Sequence, residues 1–239
     1  MKNIYRPEID GLRAVAVLSV IFFHAGFEIF KGGFAGVDVF FVVSGYLITT
    51  IILKDIERKK FSISYFYQRR VRRILPALII TIAFSLPFAL ILLPPENLQN
   101  YSKSIISSLT FWSNFQFSSE AGYFATPGEY KPLLHTWSLS IEEQFYIIFP
   151  ILLLFFYRFK KKYFIIFIST IAILSLLIAQ WSGNLKLAYP FIEKEILFFN
   201  QSSLTNFFLP FGRIWELIIG ILISFYIKKN GQPNYYNQI

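Results

Sequence analysis

An arginine and a histidine share one apolar run near the start of the chain. In DGLRAVAVLSVIFFHAG, residues 10–26, they are Arg13 and His24. Ionisable side chains inside a membrane helix are costly and need a partner or a task. Eleven residues separate the two, which is about three helical turns, so both fall on one face about 16 Å apart along the axis. Asp10 stands three residues before Arg13, within pairing reach on a helix. Asp38 opens the next apolar run and is expected at the depth of His24. A carboxylate there would fix the imidazole tautomer and raise its basicity. Glu142 and Glu143 follow near the start of a later run, and RIWE near the end places Arg213 and Glu216 at i and i+3, on one helix face. His24, Asp38, the glutamate pair, Arg213 and Glu216 are expected to converge on one polar layer in the outer half of the membrane. A base, an orienting carboxylate and a cation suit proton abstraction from a hydroxyl. Plainer roles compete. A lone membrane histidine also serves as an interhelical hydrogen-bonding residue, and Arg213 with Glu216 as a structural ion pair.

A second group is cationic. YFYQRRVRRILP carries Arg69, Arg70, Arg72 and Arg73. Arg69/Arg72 and Arg70/Arg73 are both i, i+3 pairs, each able to present two guanidinium forks to a phosphate. Such a cluster also anchors a span and sets its orientation. A phosphorylated cytosolic donor fits the arginines, with coenzyme A as the candidate. There is no glycine-rich phosphate loop, so a kinase or ATPase reading has no support.

The elements that position these groups are membrane helices. The chain has 239 residues, 55% hydrophobic and 20% aromatic, with a mean hydropathy of +0.51. That apolar content exceeds what a soluble domain can bury, so an all-α, polytopic membrane bundle is expected. There are no cysteines and two histidines, which excludes a disulfide framework and leaves too few ligands for a zinc site. The net charge of +9 falls between apolar runs rather than on one face, which points to membrane topology and not to nucleic acid. Apolar runs at 11–30, 34–53, 74–93, 137–157, 163–181 and 207–227 are long enough to span. The first exceeds a signal-peptide core and is kept as a span. Residues 101–117, YSKSIISSLTFWSNFQF, are interrupted by serines, Asn and Gln.

Charge decides between six spans and seven. Lys54, Arg58 and the four arginines place the loop after the second span in the cytoplasm, with the N-terminus on the same side. If 101–117 does not cross, Lys160–Lys162 and Lys228–Lys229 fall inside as well. Six spans are therefore expected. Residues 94–136 form an extracytoplasmic segment with an interfacial or re-entrant helix, and 228–239 a polar tail.

Five stretches in order resemble the membrane acyltransferase-3 family of bacterial envelope O-acyltransferases. They are YRPEIDGLRAVAVLSVIFFH, GGFAGVDVFFVVSGYLIT, FYQRRVRRILPAL, PLLHTWSLSIEEQFYIIFP and RIWELIIG. The resemblance implies a multi-pass protein of the bacterial inner membrane and an acyl donor, commonly acetyl-CoA, with no bound cofactor. It implies His24 as essential to acyl transfer, Arg13 as its companion and the arginine pair in donor binding. The acceptor would be lipopolysaccharide O-antigen, peptidoglycan or another exported polysaccharide. Family domains carry further spans, so residues 1–227 are expected to be a partial domain that needs a chain supplying the rest. A carrier of acyl groups or glycolipid, without transferase chemistry, is the alternative.

Overall fold

The computed structural model describes residues 6–121, 127–157, 161–181 and 207–230. Among them every regular element is a helix. The α-helices are α1 (Pro7–His24), α2 (Gly36–Glu57), α3 (Ile63–Leu92), α4 (Pro95–Leu109), α5 (Ser113–Ser119), α6 (Thr136–Tyr157), α7 (Lys161–Trp181) and α8 (Ile214–Asn230). Four helices, Gly33–Glu57, Ile63–Leu92, Thr136–Tyr157 and Lys161–Gln180, are long and apolar enough to cross a bilayer. The chain is an all-α membrane protein. α1 and α8, with 18 and 17 residues, were also expected to span but are not among these four.

Several expected boundaries shift, each for a local reason. The first run was expected to continue to Phe30, but α1 ends at His24. Gly26 adopts φ +80, a left-handed conformation that ends a helix, and two short 3-10 turns follow. α3 begins eleven residues before the apolar run, at Ile63. Its first turn is capped by the Ser62 hydroxyl, which accepts from the Tyr65 amide at 3.4 Å. The arginine motif is therefore inside a helix. α8 starts late because Pro210 and Gly212 hold a 3-10 turn before it.

The core joins α2, α6, α7 and α8. Phe41, Ile48 and Ile52 of α2 meet Ile141, Phe145 and Phe149 of α6, Phe164 of α7, and Leu217 and Ile221 of α8. α3 instead leaves Ile80, Phe84 and Ile91 uncovered, which suits a helix facing lipid. α2 and α8 run side by side in the same direction. A Cβ on Gly45 would collide with the Leu217 carbonyl, and one on Gly220 with the Val42 carbonyl and the Tyr46 amide. Small residues here let two backbones touch. Below the crossing, the Thr50 and Ser224 hydroxyls bond at 2.9 Å, and Lys228 pairs with Glu57.

α1 packs antiparallel to α2 in a constant register. Ser19 meets Gly33, Ala16 meets Gly36, the Arg13 guanidinium lies 5.3 Å from the Phe40 ring centroid, and Arg6 donates to the Tyr46 hydroxyl at 2.6 Å.

Residues 101–117 do not form one helix. α4 descends along α3, with the Tyr101 and Ser85 hydroxyls 2.8 Å apart. The chain reverses at Thr110–Trp112, where Phe111 takes φ 55. α5 then climbs back along α6. Ser113 bonds Ser140 at 2.8 Å, and the Gln144 amide donates to the Phe111 carbonyl and the Asn114 Oδ1, both at 2.8 Å. The hairpin enters and leaves on one side of the bundle.

Candidate active site

The expected single layer is resolved into three places. The first, at one end of the bundle, is His24. It is the last residue of α1 and is exposed. Its Nδ1 lies 2.8 Å from the Val20 carbonyl oxygen. A carbonyl only accepts, so Nδ1 carries the proton, and Nε2 of the neutral ring holds the basic lone pair. The expected orienter, Asp38, is elsewhere. The α1–α2 register sets Asp38 level with Ala14, so His24 stands ten residues, or about 15 Å along the helix, beyond it. The cause is the 25–35 turn segment, which lengthens the connection and slides α2 down against α1. Arg13, not His24, is Asp38's neighbour in depth. Arg13 keeps its expected partner Asp10, at 3.7 Å.

The second place is an ion triad. Arg213 Nη1 donates to Asp38 Oδ1 at 2.6 Å and to Glu216 Oε1 at 2.9 Å. Its guanidinium also lies over the Phe207 ring, 4.5 Å from the centroid. The expected i, i+3 pair forms, and Asp38 joins it from α2. Glu216 is 1% exposed, and its Oε2 has no hydrogen-bond partner among the described residues.

The third place is deeper. Ser44 of α2 is within hydrogen-bonding reach of both Glu142 and Tyr146 of α6. Glu142 and Tyr146 are four residues apart and share a helix face. The Arg70 guanidinium lies 4.4 Å from the Tyr146 ring centroid. Arg70 and Arg73 act electrostatically on Glu143, and Arg70 and Arg13 on Glu142. Both glutamates are buried, and each keeps one oxygen without a hydrogen-bond partner among the described residues. From Asp38 to Ser44 is six residues, which sets this group about 9 Å below the triad.

The arginine motif splits by face. Arg70, partly buried, and Arg73, exposed, are both within electrostatic reach of Glu143. Arg69 turns away, bonding Asp55 at 3.1 Å and lying over the Tyr65 ring at 4.7 Å, and Arg72 is exposed. Both pairs satisfy the sequence pattern, but of the four arginines only Arg70 is partly buried against the bundle. Charge opposite charge, with spare carboxylate oxygens and a tyrosine ring beneath a guanidinium, makes a polar cluster between apolar helices.

A family model described as an acyltransferase domain matches residues 6–235. The chain belongs to this acyltransferase family. It is 39% identical over 225 residues to the O-acetyltransferase OatA of Staphylococcus aureus strain NCTC 8325, an alignment covering 92% of this chain and 34% of that protein. It is 44% identical over 160 residues to the peptidoglycan O-acetyltransferase OatA of Listeria monocytogenes, covering 66% of this chain and 26% of that protein. The chain thus spans about a third or less of the length of these curated relatives. No solved structure matches it.

In this acyltransferase domain, Ser44, carried by the second of the family-like stretches, was given no site role, and Tyr146 and the Val20 carbonyl were not expected at the site. Tyr146 had a signal, since it sits one turn after Glu142. Ser44 lies on the Asp38 helix but has no local cue to a partner on α6. The Val20 carbonyl is backbone and carries none.

Proposed function

We propose that the chain forms the acyl-transfer region of a membrane O-acetyltransferase. The donor is acyl-CoA, with acetyl as the expected group, and the acceptor is a hydroxyl of a cell-envelope glycan, peptidoglycan being favoured by the printed name of the Listeria relative. The protein sits in the bacterial inner membrane with its N-terminus in the cytoplasm. The observation that carries this reading is the polarity of the assembly along the bundle. Arg70, on the arginine-rich side that the charge rule assigns to the cytoplasm, acts electrostatically on Glu142 and Glu143, while a histidine whose Nδ1 is held by the Val20 carbonyl stands at the far end of α1.

In this mechanism the His24 Nε2 takes the proton of the acceptor hydroxyl as its oxygen attacks the thioester carbonyl. The carbon–sulfur bond breaks, and the coenzyme A thiolate leaves. Arg13 lies three turns below His24 on the same face. The donor's slender arm runs along α1 from the arginine level to the histidine. Glu142, held by Ser44 and flanked by Arg13 and Arg70, sets the position of both cations. Asp38, Arg213 and Glu216 fix α8 against α2 between the two levels.

The test is acetyl transfer from labelled acetyl-CoA to glycan in membranes containing the chain, alone and co-expressed with a chain that supplies further spans. His24→Ala should lower transfer by about 10²-fold or more. His24→Asn, which keeps a donor for the Val20 carbonyl but has no base, should be equally inactive. Arg70→Ala should raise the acetyl-CoA requirement, and Arg69→Ala should leave it near wild type. Full activity of both His24 variants would overturn the reading and favour a carrier, which needs no base.

A further inference from the structure

We infer that the seam between α6, α7 and α8 is a binding slot for one acyl chain of a bilayer phospholipid. The slot stands apart from the acyl-CoA reading above and does not rest on it. A cavity of about 380 Å³ opens along the seam, walled by Ile141, Phe145 and Ile148 of α6, Ile168 and Ile171 of α7 and Leu217 of α8. A second cavity, of about 190 Å³, continues toward Tyr157 and Lys161. Phe164 lines both. At this waist its ring centroid lies 5.5 Å from that of Phe156 and 5.6 Å from that of Phe225. The two cavities follow one line. On α7 the lining residues Phe164, Ile168, Ile171, Ser175 and Ile178 recur every three or four positions, which is a single helix face. On α8, Ile214, Ile218, Ile221 and Phe225 recur in the same way.

Polarity, width and setting select the occupant. Among the described residues lining the larger cavity, only Gln144 and Ser175 are polar. Both are engaged elsewhere. The Gln144 amide donates to the Phe111 carbonyl and the Asn114 Oδ1, both at 2.8 Å. The Ser175 hydroxyl donates to the Phe211 carbonyl at 2.7 Å and accepts from the Trp215 amide at 3.2 Å. A polar ligand would lose its hydration there and find no partner in exchange. From Ile141 to Tyr157 the seam runs about 24 Å along α6. Spread over that length, the two volumes give a section on the order of 25 Å², against about 80 Å² for a helix 10 Å across. A further helix is too thick for the slot, whereas one extended hydrocarbon chain is not. α6 and α7 are two of the helices able to cross a bilayer, and Ile148 and Leu174 are exposed at the rim. The slot therefore opens sideways into lipid. Apolar walls around a void forfeit dispersion contacts, and an acyl chain entering from the bilayer restores them.

The experiment uses the purified chain in detergent, with two probes that share a headgroup, dioleoyl and dihexanoyl phosphatidylglycerol. Native mass spectrometry should show the long-chain lipid retained and the short-chain one lost. Ile148→Trp and Ile171→Trp each place an indole in the slot. Each should lower affinity for the dioleoyl lipid about tenfold or more, the cost of excluding roughly two buried methylenes. Ile151→Trp, as large and on the same helix but outside the slot, should bind as the wild type does. Stripping lipid should lower the unfolding midpoint of the wild type, and adding the dioleoyl lipid should restore it. Ile148→Trp, changed at the exposed rim where size is tolerated, should respond to neither step. A benzophenone side chain introduced at Leu174 should crosslink to phospholipid in cells. Equal retention of the two lipids overturns the slot, as does wild-type affinity in both filled variants. A Leu174 crosslink to a second copy, or to a chain supplying further spans, overturns it as well.

Discussion

His24 shows how a ring can be held without a carboxylate. Its own helix supplies the acceptor one turn back, at Val20, and this contact leaves the other ring nitrogen unused. Asp38 is thereby released for another task, the pairing with Arg213. That triad makes a sharp prediction. Arg213→Ala leaves Glu216, 1% exposed, buried without its cation, and removal of one partner from such a pair costs about 3–5 kcal/mol. Thermal unfolding in detergent should show a large drop for Arg213→Ala and a smaller one for Asp38→Asn, since Asp38 is 37% exposed at the side chain. Equal midpoints for wild type and Arg213→Ala would contradict it. The local part of this site was legible in the sequence. Arg13 with Asp10, Arg213 with Glu216, and the two faces of the arginine motif all follow from helical spacing. Asp38's partner was not, because it stands 175 residues away and its depth depends on a turn segment whose geometry no apolar pattern encodes.

At the scale of elements, the α2–α8 crossing carries the greatest strain risk. Gly45 and Gly220 each face the other helix's backbone, which cannot move aside as a side chain can. Gly220→Ala should therefore destabilise by about 1–3 kcal/mol, the range for overpacking. Adding Gly45→Ala should cost less than the sum of the two single changes, because one displacement of α8 relieves both. A midpoint series for the two single variants and the double measures this. Helix identity was legible here, since each long apolar run is a helix. Helix ends were less so. α3 gains its arginine turns because Ser62 caps an amphipathic stretch that hydropathy alone leaves outside. The 101–117 segment hid a reversal because polar residues that look like an amphipathic surface are instead the inward-facing contacts of a hairpin. Ser108, Ser113, Thr136 and Ser140 bond one another in its seam at 2.8–3.0 Å.

For the whole molecule, the structure groups the helix ends by side. The end of α8 pairs with the end of α2 through Lys228 and Glu57, and the end of α6 shares a cavity with both. The turns at 25–35 and 127–135 lie at the opposite end. The sequence contains no cysteine, so each introduced thiol is the single label site. Lys59→Cys and Lys229→Cys should react with an impermeant maleimide from one face of sealed vesicles, and Lys31→Cys and Glu129→Cys from the other. Labelling of Lys31→Cys and Lys59→Cys from the same face would break the arrangement.

The parallel pairing of α2 with α8 also sets a timetable for biosynthesis. Asp38 finds Arg213 only after a further 175 residues have been made, about 10–35 s at ordinary elongation rates of roughly 5–20 residues per second. Throughout that interval α2 stands in the membrane with a carboxylate and a bare glycine face that no finished neighbour covers. The final fold is thus gated by the ribosome, and a nascent chain stalled before α8 should present α2 to whatever quality-control machinery recognises unpaired charge in lipid.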